Sequence, residues 1–235
     1  MSPLERVDYF DGQTALTGWL ARPSRKPRAA VVVFPTIMNT TASVAAKAHS
    51  LAEHGYLALV ADFYGEPVVD FGHSIKLATA LRGDVDRYRT RLRVSLAALL
   101  DLEPELPCAA IGFCMGGQAV LELARENAAL EVVASFHGLL DTGRKAAAGT
   151  VIKPRILICH GDADPLVPRA QVIAFWKEMD AAGADWHFHS YAGVGHGFTN
   201  PAPPANGGAK SYNASADRQS WAALLELLDE VLPRG

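Results

Sequence analysis

The feature that most constrains this chain lies near its middle, residues 109–118, Ala-Ala-Ile-Gly-Phe-Cys-Met-Gly-Gly-Gln. Residues 108–111 are a short apolar run and read as a buried strand, while Val120, Leu121, Leu123 and Ala124 begin a helical pattern. Between them Cys114 is flanked by Gly112 on one side and by Gly116 and Gly117 on the other. A strand that turns into a helix over one residue holds that residue in a strained backbone conformation. Glycines two positions away on either side let strand and helix approach closely. The N–H of Met115 then points to where negative charge would develop during attack by Cys114. A buried cysteine beside an ordinary turn is the plainer reading, but it gives the flanking glycines no purpose.

Elsewhere the chain alternates strand-like and helix-like segments. Residues 7–9 and 16–21 alternate around Asp11-Gly12 and predict an antiparallel hairpin. Residues 29–34 and 57–60 are continuous apolar runs, as expected of central parallel strands. A helix is predicted over 42–54, stopped by Gly55, and a longer one from Val85 through Leu99. Arg87, Arg89, Arg91 and Arg93 interrupt the latter and are expected to form a solvated face rather than an anion site. Residues 66–83 are less regular and are expected to form a rim or lid. Strands are predicted at 131–136, 155–159 and 185–191, and helices at 168–182 and 216–232. The expected architecture is a single α/β domain over residues 1–235, a mostly parallel sheet with helices on both faces and the N-terminal hairpin at its edge. Ligands bind such sheets at the carboxyl ends of the strands.

Composition narrows the function. A net charge of −3 gives no reason to expect nucleic acid or an anionic membrane as partner. No run of residues is long and apolar enough for a membrane span, and the first residues do not read as a signal peptide. Three cysteines, an odd number partly within strand-like runs, suit reduced thiols in the cytoplasm. On that expectation the matches to glycosylation acceptors at Asn39 and Asn213 are fortuitous.

A cysteine nucleophile needs a base, and the base an orienting group. Strand 155–159 runs directly into His-Gly-Asp-Ala-Asp-Pro, which offers Asp162 or Asp164. Strand 185–191 is followed by Gly-Val-Gly-His-Gly-Phe, which places His196 on a glycine-rich loop able to reach across to Cys114. Asp164 is preferred because it sits at the loop apex, whereas Asp162 is placed to cap the turn. The order nucleophile, acid, histidine is that of the α/β-hydrolases, whose nucleophile elbow residues 112–116 also resemble, with Cys in place of Ser. The second oxyanion donor is then expected from the loop after strand 29–34, as the N–H of Ile37. His187 and His189 share one face of a strand, but no third metal ligand is evident, so no metal is expected. The glycines at 193, 195 and 197 imitate a dinucleotide fingerprint only superficially, since no helix opens directly after them.

Four stretches together resemble the dienelactone hydrolase family along nearly the whole chain. They are Gly-Phe-Cys-Met-Gly-Gly at 112–117, Gly-Asp-Ala-Asp-Pro-Leu-Val-Pro at 161–168, Gly-His-Gly-Phe at 195–198, and His54-Gly55-Tyr56 with Ala61-Asp62-Phe63-Tyr64. The resemblance implies a Cys114–Asp164–His196 triad, oxyanion donation by Met115 and Ile37, and hydrolysis of enol-lactones without metal or organic cofactor. Thr36, Tyr64, His137 and Phe198 are the candidate pocket residues, with a structural role for His137 equally in view. The chain departs from the family at two points. Thr36 stands where the family has a Glu that helps form the thiolate, and Thr199-Asn200 stand where it has an Arg that holds the substrate carboxylate. A hydroxyl cannot accept a proton at neutral pH.

The expected function is hydrolysis of a small ester or lactone through a thioester, by a monomer or small homo-oligomer. A ligand-binding or scaffold protein with an impaired triad is the alternative, resting on Thr36. A thiol redox protein is a third reading, disfavoured because no second Cys follows Cys114 at redox-motif spacing.

Overall fold

A computed structural model of the chain describes residues 3–147, 149–202 and 211–232. Its eight strands are β1 (Glu5–Asp11), β2 (Thr14–Ala21), β3 (Ala29–Phe34), β4 (Tyr56–Val60), β5 (Cys108–Phe113), β6 (Val132–Phe136), β7 (Arg155–Gly161) and β8 (Trp186–Tyr191). They form one sheet in the order β1-β2-β4-β3-β5-β6-β7-β8. β1 and β2 pair antiparallel through the expected hairpin, with Gly12 at φ +58° in its turn. β2 is also antiparallel to β4, and every later pair is parallel. β3, β4, β5 and β6 are buried along their whole length, which explains why they read as unbroken apolar runs instead of alternating ones.

Six helices cover the sheet: α1 (Ala42–Glu53), α2 (Phe71–Arg82), α3 (Val85–Leu100), α4 (Met115–Arg125), α5 (Arg169–Ala181) and α6 (Ala214–Val231). Val44, Ala48 and Leu51 of α1 share one core with Leu224, Leu227 and Leu228 of α6. Residues of α2, α3, α4 and α5 fill the other core. None of these helices is long and apolar enough to cross a membrane among the described residues.

Two expectations are corrected here. Residues 66–83 are not irregular throughout: α2 occupies most of them, capped by the Asp70 carboxylate, which accepts the His73 N–H at 2.7 Å. Its buried face is Ser74, Ala78 and Leu81, too short in apolar side chains to show a period. The arginines of α3 are not all solvated either. Arg89 is 4 % exposed and pairs with Glu122 of α4 at 2.7 Å. Arg91 is 2 % exposed, pairs with Asp11 at 2.8 Å and donates to the Phe63 carbonyl. Arg125 extends the first network by joining Glu122 at 3.1 Å and Glu178 of α5 at 2.8 Å. The Glu122 network ties α4 to α3 and α5, the Arg91–Asp11 pair ties α3 to β1, and removing one partner of such a buried pair costs about 3–5 kcal/mol.

Candidate active site

The elbow is as tight as its sequence implies. Cys114, between β5 and α4, has φ +56° and ψ −115°, a region that non-glycine residues occupy only under constraint. A Cβ on Gly112 would lie 1.9 Å from the Gly116 carbonyl oxygen, and one on Gly116 would lie 2.1 Å from that of Phe34. No other residue type fits at either position without backbone movement.

The next strand supplies the support beneath the elbow. The Cys114 N–H donates to the Phe136 carbonyl at 3.0 Å and to His137 Nδ1 at 3.1 Å. Nδ1 therefore carries no proton, and Nε2–H donates to Thr199 Oγ1 at 2.8 Å. Burial and the neighbouring His196 hold His137 well below the usual imidazole range, so it is neutral. Its ring meets that of His196 edge-on at a centroid distance of 5.3 Å.

His196 lies on the loop between β8 and α6, where Gly197 takes φ +76°. Its Nδ1 is 2.7 Å from Asp164 Oδ2, and the other oxygen of Asp164 accepts the Leu166 N–H at 2.9 Å. Asp164 is 4 % exposed, whereas Asp162 turns outward and pairs with Arg169 at 2.6 Å. His196 Nε2 is buried and has no hydrogen-bond partner in contact among the described residues, yet it stands near enough to Cys114 for the two groups to shift each other's pKa.

This arrangement redistributes protons. Burial alone would lower the His196 pKa, but hydrogen bonds to Asp164 and Cys114 outweigh it and push it up to about 10. Burial likewise would raise the Cys114 thiol, yet the hydrogen bond and charge of His196, with the amides of Met115 and Ile37, bring it below the ordinary thiol range. Proton affinity is thus shifted from the Cys114 thiol toward His196, with the amides of Met115 and Ile37 favouring the charged form of the sulfur.

Ile37 reaches this position through a turn in which the Asn39 N–H donates to the Thr36 carbonyl at 2.9 Å. That bond fixes the plane of the Thr36–Ile37 peptide and hence the direction of the Ile37 N–H. Asn39 has φ +59° and is held by Asp62, whose Oδ1 accepts its side-chain amide at 2.8 Å. The same oxygen accepts the N–H groups of Tyr64 and Gly65 at 2.9 and 3.1 Å. The Tyr64 hydroxyl donates to the Ile37 carbonyl at 3.1 Å. Asn39 and Asp62 had no role assigned from sequence. The only signal was an acidic residue directly after a fully apolar strand.

These groups open onto a cavity of about 610 Å³. Thr36, Ile37, Cys114, His137 and His196 line it, as do Val44, Phe71, Phe113 and Leu166. Two of the expected pocket residues do not. Tyr64 stands behind the turn that carries Ile37, and Phe198 is fully buried, packed edge-on beneath His137 at 5.2 Å. Thr36 spends its hydroxyl on the Met38 N–H at 3.2 Å. His187 and His189 are exposed on the edge strand β8, and no group of metal-ligating side chains occurs among the described residues. Of the glycine- and proline-rich loop that carries His196, residues 203–210 lie outside the described residues.

A model of the dienelactone hydrolase family matches residues 16–232. The chain is 29 % identical over 214 residues to a probable 2-oxo-3-(5-oxofuran-2-ylidene)propanoate lactonase of Bradyrhizobium sp, covering 83 % of this chain and 84 % of that one. It is 36 % identical over 153 residues to an uncharacterized protein of Caenorhabditis elegans, covering 60 % of this chain and 94 % of that one. Among solved structures, a dienelactone hydrolase-like promiscuous phosphotriesterase from metagenomic libraries superposes with a TM-score of 0.89 at 33 % identity, covering 99 % of this chain and 100 % of that one.

Proposed function

This chain belongs to the dienelactone hydrolase family, and from that premise we propose that it hydrolyses small esters or lactones by covalent catalysis at Cys114. The observation that carries the proposal is the His196–Asp164 contact of 2.7 Å beside a thiol that faces two backbone amides.

The Cys114 thiolate attacks the carbonyl carbon of the substrate. The negative charge that develops on the carbonyl oxygen is taken up by the N–H groups of Met115 and Ile37. As the C–O bond breaks, imidazolium His196 gives its Nε2 proton to the leaving alkoxide, and a thioester remains on Cys114. Neutral His196 then removes a proton from water, whose oxygen attacks the thioester. The thiolate departs, the carboxylic acid is released, and the ion pair is restored. Asp164 holds His196 Nδ1–H and stabilises the imidazolium at both stages.

His196, held by Asp164 and lowering the Cys114 thiol, supplies a base that does not depend on a glutamate at Thr36, which weighs against the alternative of a non-catalytic scaffold. Cys108 and Cys159 are free, buried thiols that burial pushes up to about 12, which weakens the redox reading. Three free thiols also fit action in the cytoplasm.

A lactone and short-chain ester panel with rapid acid quench and mass spectrometry tests the proposal. An acyl adduct on the Cys114 peptide, absent from Cys114→Ala along with turnover, is the expected result. Unchanged turnover in that variant would refute the proposal.

A further inference from the structure

We propose that the cavity selects neutral substrates whose bound portion is apolar, and discriminates against those bearing a carboxylate. The inference rests on the assignment of Cys114 as nucleophile and concerns what that nucleophile is offered.

The first observation is the wall itself. Ile37, Met38, Val44, Phe71, Phe113 and Leu166 surround the approach to Cys114. Among the described residues no arginine lines the cavity. At the place where a carboxylate-holding arginine would follow the histidine, the Thr199 hydroxyl accepts the His137 Nε2–H at 2.8 Å and Asn200 offers an uncharged amide.

The second observation is the state of the cation that is present. Lys47 of α1 lines the cavity. Its Nζ lies 2.7 Å from Asp217 Oδ1 of α6 and 4.5 Å from the centroid of the Trp221 ring. Both members of this pair are largely buried, at 17 % and 16 % side-chain exposure. A substrate carboxylate would have to draw the ammonium away from an existing partner in a poorly solvated place, leaving Asp217 uncompensated.

Together these leave an incoming carboxylate to lose its hydration without a new partner, whereas an uncharged acyl chain gains contact with the apolar wall.

The two substrates that test this differ in one methyl group: p-nitrophenyl methyl adipate, which is neutral, and p-nitrophenyl hydrogen adipate, which carries a carboxylate at pH 7.5. After subtraction of spontaneous hydrolysis, the expected kcat/KM of the wild-type chain is about tenfold or more higher for the neutral ester, chiefly through KM. Asp217→Asn removes a negative charge and frees Lys47, and should shrink that ratio about tenfold. Lys47→Met removes the cation and should widen it, so the two variants move the ratio in opposite directions. The proposal is overturned if the wild type takes the free acid as well as the methyl ester, or if both variants shift the ratio the same way. Absence of turnover with either ester would instead overturn the assignment of Cys114, and this proposal with it.

Discussion

The two ends of strand β5 carry the same residue type in opposite states. Cys108, at its start, is buried in the core and its thiol is pushed up to about 12 by burial alone. Cys114, just past its end, is half-buried at the cavity and lies below the ordinary thiol range. Cys159 on β7 repeats the first case, again at about 12. Burial penalises a thiolate at all three positions. Only at the carboxyl end of β5 do an imidazolium and two amide dipoles reverse it. Cys114 is also the one of the three that is only partly buried. What sets it apart is the strained turn that carries it off the strand, to the cavity and into reach of loops from β3 and β8.

The largest effect expected from breaking this contrast is that of Cys114→Ala, which should lower kcat/KM by about 10⁵-fold or to background in a steady-state ester assay. Next, Asp164→Asn should cost about 10²- to 10⁴-fold in kcat. It should also narrow the pH profile. The wild-type bell should have an acid limb at the lowered Cys114 pKa and an alkaline limb near 10, where His196 loses its proton. Without the Asp164 carboxylate the His196 pKa falls and that of Cys114 rises, so the limbs move toward each other. A smaller loss, about fivefold to tenfold in kcat, is expected for Tyr64→Phe, which frees the Ile37 carbonyl from its one side-chain restraint. A KM change without a kcat change in that variant would place Tyr64 outside the oxyanion turn's support. The smallest effects belong to the other thiols. Cys108→Ala and Cys159→Ala should keep activity within about twofold and cost about 1 kcal/mol in denaturant unfolding, the scale of one small buried group.

Much of this was legible in the sequence because it depends on local residues. The parallel strands announced themselves as runs of apolar residues at 29–34 and 57–60, and the elbow through glycines that a strand–helix crossing needs. The chain order of Cys114, Asp164 and His196, each just past a strand, points to the carboxyl end of the sheet. What was not legible depends on partners far apart in the chain. Arg89 and Arg91 read as solvated because Glu122 and Asp11 lie 33 and 80 residues away. Lys47 gave no sign of Asp217, 170 residues on. The positive φ of His137, at +40°, and the hold of Asp62 on Asn39 come from three-dimensional fit rather than from residue type. α2 was missed because small side chains bury its face without leaving a periodic mark.

The ion pair can be tested without any substrate. Alkylation of the full chain by iodoacetamide, followed by mass spectrometry of the Cys108, Cys114 and Cys159 peptides across pH 5–10, reads the thiolate at each position. Cys114 should react with a midpoint below the ordinary thiol value of 9.0, while Cys108 and Cys159 stay inert in the folded chain. A Cys114 midpoint at or above 9.0 would contradict the thiolate–imidazolium pair on which the proposed chemistry depends.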